Sequence, residues 1–328
     1  MLDSILESLH VVALATRTNF RSVQLREVAL FEGPQGWGEF SPFLEYAAEE
    51  CVPWLVSGIE SATNQPVPTL RSKIEINATM PALNARDEIA LVLSWFPGCK
   101  SVKIKVGSNL QEDLLRIAYV REILPDAGIR IDVNGGWSVD EAVRSLSAIS
   151  KAGDLEYVEQ PCNSIAELRE LKSRLDVPIL IAGDEVFRKS NNPLTIDVSG
   201  AVDIVMLKVA PLGGIKRSIE IARAHGLPTV VSSALESAVG ISYGLRLAAI
   251  LPELNYACGL GTGQLLAVDV ATLPIVSGSI GVQSVVPEEG SINEYAVSTE
   301  RLNFWRERIR QTWNAGAREW VSEEGWAW

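Results

Sequence analysis

The chain has 328 residues, 47% apolar and 21% charged, which is enough for a sizeable core and exceeds one ordinary domain. Its 29 basic residues face 41 acidic ones, a formal net charge of −12 that argues against a nucleic-acid or anionic-membrane partner, since either would need a basic stripe. A small anionic substrate is still compatible, because a few lysines or a metal can invert the sign within a pocket.

Residues 1–72 do not follow a strand–helix rhythm. Val11 to Ala15 is a short apolar run, and Thr16 to Arg21 is polar and reads as a loop. Ser22 to Phe31 alternates as a strand, Gly33-Pro34 turns the chain, and Gln35 to Phe40 returns as the second arm of a hairpin. Leu44 to Ala62 has near-helical apolar spacing with Pro53 inside it, so a kink or a split is expected there. This is a small α+β unit. From residue 73 to 290 the pattern changes to strands at 74–77, 101–106, 129–133, 157–160, 179–182, 203–207, 229–232 and, weakly, 255–258, with helices between them. Such crossovers require parallel pairing, so a closed (β/α) barrel with a degenerate eighth unit is expected. Residues 291–328 leave the rhythm again. Leu302, Trp305, Ile309 and Trp313 share one helix face, expected to pack on the first unit.

The cysteines Cys51, Cys99, Cys162 and Cys258 have no CxxC spacing, which disfavours a disulfide framework or a zinc site. No apolar run reaches the ~18 residues of a membrane span. The acidic opening residues do not resemble a signal peptide, and a cytoplasmic location is the expectation. No protein partner is evident.

The chemistry concentrates at strand ends. Lys105, Asp132, Glu159, Asp184 and Lys208 follow one another at 27, 27, 25 and 24 residues, about one strand–helix unit each time. Alternation along a strand puts Lys103 on the same face as Lys105, and the C-terminal mouth is where sites of this fold lie. Alone, the lysines could be solvated strand ends. Three carboxylates converging on the same mouth, with no arginine neighbour to neutralise them, point instead to an all-oxygen site for a hard divalent cation. Asn134 and Glu185 stand beside these acids as residues that would hold them in place. A lysine on each side of the mouth suits proton removal next to a carboxylate, with Lys105 as base once Lys103 and a metal lower its pKa. Ser232, Ser233, Gly259, Gly261 and Thr262 end the seventh and eighth strands in small-residue turns that could bind a substrate carboxylate, although ordinary βα loops use the same residues. His10 and His225 lie at no strand end and read as structural or surface groups.

The lysine pair Lys103 and Lys105, followed by Asp132, Glu159, Asp184 and Lys208 on later strands, resembles the enolase superfamily in its muconate-lactonizing-enzyme subgroup. Thr18–Arg21, Gly36–Pro42, Asn77–Pro81, Asp132–Trp137 and Gly259–Thr262 are most similar to the o-succinylbenzoate synthase family of actinobacterial type. The resemblance implies a modified TIM barrel, (β/α)7β, capped by an α+β unit from the N-terminal segment and the C-terminal tail. It implies magnesium, with manganese able to substitute, on Asp132, Glu159 and Asp184. It also implies dehydration of a succinyl-hydroxycyclohexadiene-carboxylate to succinylbenzoate in menaquinone biosynthesis. Lys105 would be the base, Lys208 the anion stabiliser from the opposite face, and Lys103 the support of Lys105 and the enolate oxygen, while Arg21 could pair with the succinyl carboxylate or face solvent. The same machinery would serve an N-succinylamino acid racemase or dipeptide epimerase. A Schiff-base lyase and a non-enzymatic barrel are the readings from other classes.

Overall fold

The computed structural model describes residues 1–20 and 23–328. The chain opens with α1 (Leu2–Glu7), then an antiparallel sheet of β1 (His10–Phe20), β2 (Val23–Gly33) and β3 (Gly36–Phe40), covered by α2 (Ala48–Thr63). The hairpin is where the turn signal put it. The segment from Thr16 to Phe20, expected as a loop, instead continues β1. Its register shifts after Ala15, Thr16 bridges to Leu266 of the barrel, and Phe20 resumes pairing with Val23. Backbone pairing of this kind needs no apolar alternation, so side-chain pattern did not announce it. α2 runs through Pro53 without the expected split. The proline sits near the N-terminal end, where it removes only one intrahelical bond.

The expected first strand at 74–77 is two elements. β4 (Lys73–Glu75) later pairs antiparallel with β12 (Ser279–Gly281), and the first barrel strand is β5 (Ala78–Met80). The barrel then proceeds through α3 (Arg86–Ser94), β6 (Ser101–Lys105), α4 (Leu110–Ile123), β7 (Gly128–Asp132), α5 (Val139–Lys151), β8 (Tyr157–Glu159), α6 (Ile165–Arg174) and β9 (Ile181–Gly183). It continues with α7 (Glu185–Arg188), β10 (Ile204–Lys208), α8 (Val209–Leu212), α9 (Ile215–His225), β11 (Thr229–Ser232) and α10 (Ala238–Ile250). β5 to β11 form one parallel sheet in sequence order. The weak eighth unit closes it through two parallel bridges, Ile76 to Cys258 and Ser232 to Gly259. Gly259 permits this closure, because a Cβ there would lie 2.4 Å from Ser232 Oγ. Helix starts are written in the sequence: Ser138 with Glu141, and Ser164 with Glu167, form capping boxes on α5 and α6. At the closed end, Arg130 is fully buried between Tyr157 and Tyr256, held by Glu156 at 2.5 Å.

The tail supplies α11 (Glu289–Glu294), α12 (Thr299–Thr312) and α13 (Arg318–Glu323). As the apolar spacing implied, Trp305 and Ile309 are fully buried in the core of the capping unit, with Phe40, Trp54 and Leu55. Trp305 also donates its indole N–H to Glu27 at 2.7 Å. All four cysteines are buried and free. His225 is tied to Pro193 O at 2.8 Å, and His10 packs near Trp37.

Two carboxylates of the capping unit dock it on the barrel. Glu60 of α2 accepts from the backbone N–H of Ile215 (2.6 Å) and Lys216 (3.0 Å), at the start of α9, and from Tyr243 Oη (2.8 Å). Glu39 of β3 accepts from Ser237 Oγ (2.6 Å) and Gly240 N (2.9 Å), at the start of α10. Free N–H groups and the positive end of the helix dipole make these the favoured places for buried acids. Gly214 belongs to this arrangement: its φ is +107°, and a Cβ would meet Glu60 Oε2 at 1.8 Å.

Gly214→Ala should therefore cost about 2–3 kcal/mol, read as a lowered unfolding midpoint; an unchanged midpoint would remove the Glu60 contact from this account. A second outcome concerns pH. Burial, then the charge of Glu39, pushes the Glu236 carboxyl up to about 7, against a partial offset from Arg26. An acid whose folded pKa exceeds its unfolded value loses stability as pH rises between the two, here from about 4.5 through about 7. Glu236→Gln should flatten the decline in melting temperature between pH 5 and 8, and identical profiles for the two proteins would refute the assignment.

Candidate active site

Register places the strand-end groups side by side. Lys105 of β6 pairs with Asp132 of β7, which pairs with Glu159 of β8, while Lys208 of β10 lies beside Ser232 of β11. Lys105 Nζ is 2.5 Å from Asp132 Oδ2 and 2.7 Å from Asn134 Oδ1. Lys103 Nζ lies 2.7 Å from Glu159 Oε2 and 3.5 Å from Asp132 Oδ2. Lys208 Nζ reaches Asp184 Oδ2 at 2.5 Å and Glu159 Oε1 at 3.6 Å. All six predicted groups thus converge on one mouth. The expectation that the acids lack an arginine is corrected. Arg188, one turn beyond Asp184 on α7, reaches Asp184 Oδ2 at 3.3 Å and Glu185 Oε1 at 2.7 Å. Lys103, Lys105, Lys208 and Arg188 face four buried carboxylates, Asp132, Glu159, Asp184 and Glu185.

Their electrostatics differ in a way that assigns roles. Burial opposes the charged form of each lysine, but the Glu159 and Asp132 charges outweigh it at Lys103, and those of Asp184 and Glu159 outweigh it at Lys208, so both are raised. At Lys105 burial prevails, helped by the Lys103 charge against the pull of Asp132, and the pKa is lowered. Burial alone would raise Asp132 and Asp184, yet the facing cations hold both well below the usual carboxylate range. Lys105 is also the most accessible of the three lysines, at 15% side-chain exposure against 8% for the others. A base that is more easily neutral and faces the opening is thereby distinguished from two amines that stay charged.

Among the described residues, no three His, Cys, Asp or Glu side chains stand as a ready-made metal cage, since each acid is turned to a lysine or arginine. The donor set nonetheless fits a hard divalent cation. It is entirely oxygen, and the buried atoms Glu159 Oε1 and Glu185 Oε2 have no hydrogen-bond partner.

Family models match both parts of the chain: "Enolase N-terminal domain-like" over residues 11–62 and "Enolase C-terminal domain-like" over 90–287. The chain is 47% identical over 313 residues to an o-succinylbenzoate synthase of Mycobacterium marinum, covering 94% of each sequence. It is also 47% identical to that of Mycolicibacterium smegmatis over 312 residues, covering 94% of this chain and 96% of the relative. The chain belongs to the o-succinylbenzoate synthase family of the enolase superfamily. Solved structures share the fold at lower identity. Muconate lactonizing enzyme from Pseudomonas putida has a TM-score of 0.72 at 21% identity, covering 88% of this chain and 98% of that one. An N-succinyl Arg/Lys racemase from Bacillus cereus has a TM-score of 0.74 at 20% identity, covering 88% and 97%.

Around the charges, this o-succinylbenzoate synthase family member has a cavity of about 20 Å³, lined by Phe20 and Phe43 of the capping unit and by Thr79, Ser232, Ser233 and Thr262 of the barrel. That is room for about one water. Phe20 lies over Lys105, its ring centroid 5.7 Å from Nζ. Ser233 Oγ donates to Gly259 O at 2.5 Å and shares a hydrogen bond with Thr262 Oγ1 at 2.8 Å. Gly259 joins that lining; Gly261 does not, and packs against Ile76 and Phe96. Arg21 lies outside the described residues. Asn134 Nδ2 also donates to Glu185 Oε1 at 3.3 Å.

Sequence reasoning missed Gln160, whose Oε1 accepts from Asp184 N at 2.9 Å, and Thr79. Thr79 pairs in register with Lys103, and its buried hydroxyl has no partner. Placing the first strand at 74–77 left it beyond the strand end, where the other functional residues sit. Thr79→Val keeps the shape and removes the hydroxyl; it should lower kcat/KM about tenfold with an unchanged melting temperature. Full kcat/KM in the variant would take Thr79 out of the site.

Proposed function

We propose that the chain is a magnesium-dependent dehydratase converting 2-succinyl-6-hydroxy-2,4-cyclohexadiene-1-carboxylate to 2-succinylbenzoate, a cytoplasmic step of menaquinone biosynthesis. The observation that carries this reading is the placement of Lys105 on β6 and Lys208 on β10, on opposite sides of the three buried acids Asp132, Glu159 and Asp184. The family relationship supports the substrate. The reading takes residues 1–72 and 291–328 as the capping domain and 73–290 as the barrel.

Neutral Lys105 removes the proton next to the ring carboxylate. Negative charge then develops on the carboxylate oxygens, where Lys208 donates from the opposite face and Lys103, fixed by Glu159 and Asp132, adds a second cation. Asp132, Glu159 and Asp184 would hold magnesium, or manganese in its place, which when bound supplies Lewis-acid stabilisation of that charge. The Lys105 ammonium returns its proton to the departing hydroxyl, so one water leaves from one face and the ring becomes aromatic. Asn134 orients Lys105 during both transfers. Ser232, Ser233, Gly259, Thr262 and Arg21 are the proposed substrate contacts, and Gly261, packed away from the cavity, is not one of them.

Magnesium-dependent formation of succinylbenzoate, followed by ultraviolet absorbance, tests the proposal. Lys105→Ala and Lys208→Ala should each lower kcat about a thousandfold without unfolding the protein. Asp184→Asn should weaken activity and magnesium dependence together. Near-normal turnover by Lys105→Ala would overturn the base assignment, and brisk racemisation of N-succinylamino acids without dehydration would move the protein to the racemase class.

A further inference from the structure

We infer that Arg188 and Tyr46 form a positioning bridge that transmits the seating of the capping unit to the carboxylate of Asp184. The inference rests on the reading of Asp184 as a metal ligand. The guanidinium is buried, and each of its three nitrogens meets a different partner: Nε reaches Asp184 Oδ2 at 3.3 Å, NH2 reaches Glu185 Oε1 at 2.7 Å, and NH1 donates to Tyr46 Oη at 3.2 Å. The first two belong to the barrel; Tyr46 belongs to the capping unit, in the segment between β3 and α2.

That segment is itself tied to the cavity. The Tyr46 ring packs edge-on against Phe43 at 5.6 Å and near Trp54 at 6.3 Å, and Phe43 lines the cavity. Arg308 of α12 clamps its backbone, donating to Phe43 O at 2.6 Å and Tyr46 O at 3.2 Å. Phe43 and Tyr46 are thus held as one clamped segment, so the seating of that segment bears on what holds Arg188. On the barrel side, Arg188 and Lys208 both converge on Asp184 Oδ2, so the guanidinium helps decide which Asp184 oxygen is presented to the mouth. A planar fork can hold three acceptors at once, whereas an ammonium on a flexible stem cannot reproduce that geometry. Charge alone would be conserved by lysine; orientation would not.

Four variants of the full chain test this: Tyr46→Phe, Arg188→Lys, Arg188→Gln and Asp184→Asn. The readouts are Mn2+ affinity without substrate, by paramagnetic resonance of the free ion, together with kcat, KM and the melting temperature. Tyr46→Phe changes no charge and should weaken Mn2+ binding about threefold to tenfold, lowering kcat more than it raises KM, with the melting temperature held. Arg188→Lys and Arg188→Gln should each lose about 10–100-fold in Mn2+ affinity or kcat, as partners that orient metal ligands do. Asp184→Asn should lose the most. If Asp184→Asn loses metal while Tyr46→Phe and Arg188→Lys bind and turn over as the parent does, the bridge is wrong and the ligand assignment survives. Unchanged Mn2+ binding in Asp184→Asn would remove the ligand assignment and the bridge with it. A fall in melting temperature alone in Tyr46→Phe would reduce the contact to packing and overturn the inference.

Discussion

Four carboxylates packed against three lysines and an arginine at one end of a parallel barrel are the constraint on which the rest of this molecule depends. A lone ammonium or carboxylate in such a place would lose several kcal/mol of hydration, and removing any one partner leaves its neighbour uncompensated. The register of β6 to β8 gives each acid a cation within reach, at 2.5–2.7 Å for Asp132 and Glu159. The same mutual dependence separates the lysines. Two are locked into ion pairs that keep them charged, while Lys105, nearer the opening and beside another cation, is the one whose proton is easiest to lose. A base and its electrostatic supports thus arise from one arrangement of charge.

A site of this kind needs a cover, since water would screen the fields that distinguish its members. The cover is attached by carboxylates seated on helix starts, Glu60 on α9 and Glu39 on α10, and by the tail helix whose Trp305 fills the capping core. Helix N-termini follow strand ends in a (β/α) barrel, so they lie at the same face as the catalytic mouth. The backbone geometry that exposes the functional side chains therefore also provides the docking points for the unit above them, and Phe20 and Phe43 hang from that unit into the cavity.

Much of this was legible in the amino-acid order. Parallel barrel strands are buried on both faces and read as short apolar runs, and their functional residues recur at one phase of a unit of about 25 residues. Lys103, Lys105, Asp132, Glu159, Asp184 and Lys208 could be placed on one mouth for that reason, and the tryptophan-bearing tail helix could be assigned to the cap by its spacing. Where the apolar signal lapsed, the reading went astray. Thr16 to Phe20 pairs through its backbone with a polar face, and the first barrel strand begins later than the run at 74–77 indicated, which hid Thr79.

Periodicity by itself determined the barrel, its direction and which side chains end its strands, because these follow from local geometry repeated along the chain. Tertiary structure alone decided that Arg188 folds back from the next helical turn onto Asp184 and Glu185, and how Tyr46 meets it from the other unit. Those properties are set by distances between residues remote in sequence and by the water excluded from between them, and neither quantity is written in any local stretch of the chain.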